Sequence, residues 1–269
     1  MDYRQLAPGQ RSEVWVAAAG GGPATLLYET SAILIEAPNW SADGASLFLN
    51  GDGKLWRLDV GSPSALQEVV FDDLPAINND HVLSRDGRWV FLSATDGHIY
   101  RGAVTGGAVT RVSPDDGKWH FLHGVTSDAT RLAYVELGGF DEPGRLIVSP
   151  GGGAPGSLVD IGPKHIDGPE WSADDAWIYF NTEGFTTEPG HAQLARIADG
   201  GGSVERLLAS GTVDWFPHPR PTDASPPTSP SPPAPSATRP ISTSRCGSSR
   251  PRTGLLRSRP TRCSAGRAR

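Results

Sequence analysis

The sequence predicts an all-β fold, a six-bladed β-propeller in which each blade is a four-stranded sheet. A unit built around a tight-turn Asp recurs at intervals of 43, 42, 46 and 49 residues, counted between Asp43, Asp86, Asp128, Asp174 and Asp223. Propeller blades repeat with this period, roughly 40–50 residues. Asp-Gly and Gly-Gly pairs separate short β-rich segments, as hairpin turns do. No segment of helical period is long enough to compete.

Each unit divides into four segments of strand length. In the second unit, Asn78 to Ser84 forms the first predicted strand and Arg88 to Ala94 the second. Turns at Asp96–Gly97 and Gly106–Gly107 lead into the third and fourth. The same pattern places blades at residues 37–71, 78–112, 119–161 and 167–209, and a fifth blade begins at Thr212.

The segment before the first full unit, Ser12 to Glu29, holds only a pair of strands. We interpret this pair as the outer half of a blade whose inner strands come from the far end of the chain, which closes the ring without an open sheet edge. Five complete units and one shared unit give six blades. The turn Asp residues are expected to accept hydrogen bonds from their own turns. Trp40, Trp171 and Trp215 are expected to anchor blade packing.

Composition limits the possible partners. Residues 1–219 carry 14 Lys and Arg against 29 Asp and Glu, a net charge near −15, which argues against nucleic acid as a partner. Both cysteines lie in the last 25 residues, so no disulfide framework is expected in the repeats. The sequence shows neither a signal-peptide pattern nor a membrane span, so we expect a cytoplasmic protein without a membrane partner. It leaves the oligomeric state open.

Composition also divides the chain into a propeller at residues 1–219 and a tail at residues 220–269. The tail is rich in Pro, Ser and Arg and contains no Lys, Val or aromatic residue, so we expect disorder. One interpretation is a basic arm that binds nucleic acid or an acidic partner. The other is out-of-frame sequence, because GC-rich coding DNA read after a frameshift gives this composition.

The candidate site lies where the first strand of each blade lines the axial channel. Five residues before each turn Asp stand Pro38, His81, His123, Pro169 and His218, so three of five positions in one register are His. The candidate ligand-binding neighbours at this mouth are Asn79, Asp80, Asp167, Glu170 and Trp215. The three imidazoles could converge on one divalent ion, since neutral His is a common ligand of transition metals. They could instead line a metal-free binding mouth, or serve packing alone.

The units "NWSADGASLFL", "LSRDGRWVFLS" and "WSADDAWIYFN" resemble the WD40-like repeat of TolB-type propellers, roughly Trp-Ser-Pro-Asp-Gly followed by an alternating strand. The segments "INNDHVLSRDG" and "DWFPHP" are similar to a bacterial subgroup of soluble TolB-like proteins that carry the label biopolymer transporter Tol. The Pro of the motif is Ala or Arg here, and Ala129 and Asp175 replace the Gly in two units. The resemblance covers about residues 12–223 and implies a bacterial binding propeller.

Two functions therefore remain open at this stage. The first is a propeller whose channel mouth binds a small molecule, a glycan or a protein. The second is a metal-dependent carbohydrate-active enzyme, lyase-like or hydrolase-like, with His81, His123 and His218 as ligands or proton carriers. The oligogalacturonate lyases, a related propeller group that holds a divalent metal with channel histidines, suggest the second by fold-level resemblance alone.

Overall fold

The structure is a computed structural model that describes residues 3–18, 20–219 and the two-residue strand Gly247–Ser248. The tail from residue 220 onward otherwise lies outside the described residues, and with it the predictions of disorder and of a shifted frame. Within the described ranges the regular structure is entirely β, as predicted. No segment there forms a helix that could cross a membrane.

Four four-stranded antiparallel sheets follow one another along the chain, and each corresponds to one predicted blade. Blade one contains β3 (Glu36–Trp40), β4 (Ser46–Gly51), β5 (Lys54–Asp59) and β6 (Gln67–Val69). Blade two contains β8 (Ile77–Leu83), β9 (Trp89–Ala94), β10 (Ile99–Ala103) and β11 (Gly107–Arg111), with the short β7 (Phe71–Asp72) parallel to β11. Blade three contains β12 (Trp119–Val125), β13 (Leu132–Leu137), β14 (Arg145–Ser149) and β15 (Ser157–Leu158). Blade four contains β16 (Ile166–Trp171), β17 (Trp177–Thr182), β18 (Gln193–Ala198) and β19 (Glu205–Arg206).

The N-terminal strand pair is also present, as β1 (Gln10–Val16) and β2 (Thr25–Thr30), and β1 pairs with β20 (Gly247–Ser248). The described residues thus form four complete blades and one strand pair, and the predicted count of six is not shown by them. Residues 207–219, where a fifth blade was predicted to begin, contain no strand. The Asp214 amide donates to Ala192 O at 3.0 Å, and the Phe216 amide donates to Asn181 Oδ1 at 3.2 Å. These two isolated hydrogen bonds connect residues 207–219 to blade four without forming a ladder of strand pairing.

Four turn Asp residues act as predicted, and the fifth, Asp223, lies outside the described residues. In each unit the Asp Oδ1 accepts the hydroxyl of the Ser or Thr two residues earlier, at 2.6–2.8 Å, and a backbone amide two residues later, at 3.0–3.2 Å. The same hydroxyl accepts the first amide of the following strand. These hydrogen bonds close the turn between the first and second strands of each blade. The turn therefore lies at the end of the blade opposite to the end where the first strand begins.

The core lies between blades, where the second strands are buried on both faces. Trp171 is 3% exposed and packs between blades three and four, as an anchor should. Trp40 and Trp215, expected in the same role, are 40% and 38% exposed. The prediction was wrong for these two. Trp40 stands three residues before its turn Asp, as Trp171 does, so a shared place in the repeat does not guarantee a buried ring. Trp215 stands at a different place, eight residues before Asp223.

Candidate ligand-binding site at the channel mouth

The first strands of the four blades share one irregularity. A β-bulge lies between Glu36 and Asn39 in β3, between Ile77 and His81 in β8, between Leu122 and Gly124 in β12 and between Asp167 and Glu170 in β16. A bulge adds residues to one strand and re-aims its side chains. At or beside these bulges each blade places at least one titratable residue, and His81 and Glu170 bound the bulges of blades two and four. One residue from each blade belongs to a single group. These residues are, in blade order, Glu36, Asp80, His123 and Asp167.

His123 lies at the centre of this group. Its Nε2 is 3.0 Å from Asp167 Oδ1 and 4.0 Å from Asp80 Oδ1, so the ring from blade three contacts carboxylates from both neighbouring blades. Burial disfavours the charged ring, but the two carboxylates outweigh burial and raise the pKa of His123 to about 9. The ring is therefore an imidazolium at neutral pH, with no lone pair available for a metal.

The two flanking carboxylates differ in their surroundings. Burial and the nearby Asp167 charge raise the pKa of Asp80, although Asn78 Nδ2 donates to its Oδ2 at 2.8 Å. Burial also opposes ionisation of Asp167, but His123 and the Gly168 amide, which donates at 2.9 Å, bring its pKa below the usual value. Asp80 is thus the carboxylate whose negative charge is least compensated.

Glu36 extends the acidic lining toward the N-terminal segment. Its carboxylate pairs with Arg4 at 2.5 Å, and burial followed by the Asp80 charge raises its pKa despite that partner. Arg4 is half-exposed, so the pair lies at the solvent side of the group. An added cation here would relieve the repulsion between Glu36 and Asp80.

Aromatic side chains border the group on the blade-four side. Phe216 stacks on the His123 ring at a centroid distance of 5.3 Å, and Trp215 lies 5.9 Å from Phe216. Phe216 adopts a φ of 48°, and the hydrogen bond from its backbone amide to Asn181 Oδ1 holds this conformation. His218 Nδ1 lies 2.6 Å from Glu170 Oε2 on the exposed rim. Carboxylates beside exposed aromatic faces suit a ligand that has both polar groups and a flat or apolar surface.

The predicted site residues divide into distinct groups in the structure. His123, Asp80 and Asp167 meet at one point, and Glu170 and His218 pair with each other. His81 is 4% exposed, and neither ring nitrogen has a hydrogen-bond partner of good geometry. Burial lowers its pKa to about 4, so its ring is neutral. Asn79 lies in the β8 bulge beside Asp80.

Sequence reasoning missed Glu36, Arg4 and Phe216. A signal for two of them was present: Glu36 stands seven residues before Asp43, as Asp167 stands seven before Asp174 and Phe216 seven before Asp223. The predicted His residues stand five positions before the turn Asp, so a pattern based on His does not include the position seven before it. No repeat pattern points to Arg4, because it precedes the first unit.

The end of the channel opposite the mouth is bridged. Arg85, in the turn of blade two, donates from Nη1 to Ala173 O in the turn of blade four at 2.7 Å. This bond passes blade three and connects two turns that are not neighbours in the ring.

A second group of ionisable side chains lies between blades two and three. Ligand atoms of Asp116, His120 and Glu136 all lie within 4.8 Å of one another, a spacing compatible with one metal ion. Sequence analysis did not single out this group, because the three residues stand at different places in the unit. Burial lowers the pKa of His120, so its ring is neutral.

Consecutive blades built of antiparallel strands define this protein as a β-propeller. Its similarity to known proteins places it within that class. A protein from Agrobacterium tumefaciens, provisionally named TolB, has a solved structure that matches with a TM-score of 0.70 and 31% identity, over 79% of this chain and 75% of the other. An uncharacterised protein of Agrobacterium fabrum is 35% identical over 198 residues, and the match spans 70% of this chain but only 63% of that protein's length.

The chain therefore belongs to the family of TolB-like β-propellers. TolB from Acinetobacter baumannii matches at a TM-score of 0.58 with 16% identity, over 77% of this chain and 54% of that one. An oligogalacturonate lyase in complex with manganese matches at 0.53 with 14% identity, over 75% and 61%. These two likenesses show the fold alone. No protein-family model matches the chain.

Proposed function

We propose that this protein is a binding propeller whose channel mouth receives a ligand or protein segment bearing a basic group. One observation carries the proposal: the first-strand bulges of four consecutive blades hold six titratable side chains, and four of the six are carboxylates. The TolB-like fold supports a binding role.

Charge determines the class of ligand in this proposal. With Asp80, Asp167, Glu36 and Glu170 ionised, the cations Arg4 and His123 leave the mouth negative, and residues 1–219 as a whole are near −15. An ammonium or guanidinium group would find its partner in Asp80. The Phe216 and Trp215 rings would cover the apolar part of the ligand.

A comparison of peptide binding tests this proposal. Wild-type protein is screened against peptide libraries in which Lys and Arg are present or replaced by Gln, and affinities of hits are measured by calorimetry. We expect basic peptides to bind and Asp80→Asn to weaken them at least about tenfold, because one partner of a partly buried charge pair is removed. Asp59→Asn makes the same charge change at the opposite end of blade one and should leave affinity unchanged.

Binding should also tighten as pH rises through the raised pKa of Asp80, because a bound cation favours the ionised carboxylate. A preference for neutral or acidic peptides would contradict the proposal. So would an equal loss of affinity in the Asp80 and Asp59 variants.

The alternative, a metal-dependent carbohydrate-active enzyme, receives support only at the level of fold, from the likeness to the lyase in complex with manganese. It would need His81, His123 and His218 as ligands or proton carriers. In the structure His123 is paired with two carboxylates and His218 with Glu170, while His81 is buried. The geometry therefore favours binding over catalysis at this mouth.

A further inference from the structure

We infer that Asp116, His120 and Glu136 form a binding site for one divalent transition-metal ion in the cleft between blades two and three. This site is separate from the channel mouth and does not depend on the function proposed for it. The three residues come from the loop before β12, from β12 itself and from the end of β13.

His120 is the residue that distinguishes this group from an ordinary acidic cluster. It is 1% exposed, and its Nδ1 lies 3.0 Å from Gly97 O in blade two. A carbonyl can only accept, so Nδ1 carries the proton and Nε2 presents its lone pair. Metal-binding His residues are commonly oriented by such a bond from the other ring nitrogen.

The Nε2 atom lies close to the two carboxylates, and the ligand atoms of all three residues are within 4.8 Å of one another. Nε2 is buried and has no hydrogen-bond partner, although Asp116 Oδ1 lies 3.3 Å away, outside hydrogen-bond geometry. A buried acceptor without a donor is costly unless something else satisfies it. A cation held between Nε2 and the carboxylates would do so, and imidazole with carboxylate oxygens is a donor set that Zn²⁺ and Mn²⁺ accept.

A second unpartnered polar atom borders the same site. The Tyr134 ring meets the His120 ring edge-on at 5.2 Å, and its buried hydroxyl has no hydrogen-bond partner. This hydroxyl is available to donate a hydrogen bond to an oxygen ligand of the ion.

Two cationic side chains of the protein already pair with the carboxylates, and they reduce the negative charge that would attract a metal ion. Lys118 Nζ lies 3.0 Å from Glu136 Oε1 and 3.5 Å from Asp116 Oδ2, and Arg145 pairs with the same Oε1. The Lys118 side chain is one-third exposed and can turn toward solvent. Its ammonium occupies the region where a metal would be attracted, so Lys118 should compete with the ion.

Mn²⁺ titration of the full chain at neutral pH, followed by the loss of the free-ion EPR signal, tests this inference. We expect one ion per chain in the wild type and no stoichiometric binding in His120→Gln. Glu136→Gln should weaken affinity at least about tenfold, since a ligand contributes at least as much as an outer-shell partner. His123→Gln and His191→Gln remove imidazoles outside the site and should bind as the wild type does.

Lys118→Met provides the decisive variant, because it predicts a gain that misfolding cannot produce. Removal of the competing ammonium should tighten Mn²⁺ binding at least about fivefold. Thermal unfolding and near-ultraviolet circular dichroism of each apo variant report whether it is folded. Wild-type protein that binds no stoichiometric Mn²⁺ would overturn the inference whatever Lys118→Met does. Binding that persists in folded His120→Gln would also overturn it, and so would Lys118→Met binding no tighter than the wild type.

The titration also separates this site from the enzyme alternative. Binding lost in His120→Gln and kept in His123→Gln assigns the ion to the cleft. The reverse pattern assigns it to the channel and rejects the inference. Failure of basic peptides to bind at the mouth would affect neither result.

Discussion

Two histidines at the same position of successive repeats are brought to opposite ionisation states by their neighbours. His81 is buried without a hydrogen-bond partner of good geometry, and its pKa falls to about 4. His123 is buried between Asp80 and Asp167, and its pKa rises to about 9. Burial acts in the same direction on both rings, so the two carboxylates account for the difference.

Stability should therefore fall on the alkaline side because of His123. Its folded pKa of about 9 exceeds the reference value of 6.5, so its contribution is fully present below pH 6.5 and is lost as pH rises through about 9. We expect His123→Gln to lack this alkaline loss, as measured by urea unfolding across that range. His81 should act in the other direction, on the acid side, since its folded pKa lies below 6.5. An unchanged alkaline slope in His123→Gln would contradict the assignment.

At the scale of the element, the turn between the first two strands keeps its geometry when its sequence changes. Gly44 and Gly87 have a φ of 70° after the turn Asp, and the replacements Ala129 and Asp175 keep φ at 59° and 57°. Left-handed backbone is unfavourable for residues with a Cβ. Asp175 has a compensating role, because its carboxylate accepts hydrogen bonds from the Ser127 amide and hydroxyl in the neighbouring blade. Ala129 makes no such hydrogen bond, and its methyl group packs against the hydrophobic cluster between blades two and three.

Ala129→Gly should stabilise the protein by about 0.5 kcal/mol, because glycine adopts the left-handed conformation without strain and this gain exceeds the loss of a partly buried methyl group. Gly44→Ala should destabilise it by a similar amount, since an added Cβ there meets no atom within 4 Å and the effect is purely conformational. Asp175→Gly should not stabilise, because it loses the bonds to Ser127. Urea unfolding of the three variants measures these changes. Equal effects of Gly at positions 129 and 175 would refute the argument.

At the scale of the whole molecule, blades are joined by polar contacts as well as by apolar packing. Arg131, at the start of the second strand of blade three, donates from Nη1 to both oxygens of Asp199, at 2.9 Å each. Asp199 follows β18 of blade four and also accepts the Trp171 indole at 2.9 Å. The Arg131 guanidinium lies 5.3 Å from the Trp171 ring centroid. These contacts connect two blades on the side opposite the mouth.

A double-mutant cycle should detect this connection. Arg131→Met and Asp199→Asn are each expected to lower the free energy of unfolding by about 1–2 kcal/mol, with a coupling of about 0.5–1 kcal/mol because the residues are in contact. Lys54→Met and Glu68→Gln remove an exposed pair within blade one and should show little coupling. Additive effects at Arg131 and Asp199 would mean that the connection contributes nothing to blade association.

The sequence predicted much of this architecture. The spacing of Asp43, Asp86, Asp128 and Asp174 located all four described blades, and the turn chemistry was correct in each. It failed for Trp40, because exposure depends on whether a neighbouring blade covers the ring. The described residues include no strand in the segment that begins at Thr212, since strand formation requires a hydrogen-bonded partner as well as a suitable sequence.

By itself the sequence determined the repeat, the order of the strands, the turn Asp residues and the end of the blades where ionisable residues gather. Each of these follows from local spacing and turn chemistry, which act over a few residues. Only the tertiary structure decided that His123 contacts Asp80 and Asp167, that Phe216 stacks on it, and that His120 is buried beside Asp116. Ionisation and pairing depend on burial and on distances of a few ångström between residues far apart in the chain, and these exist only after the blades have packed.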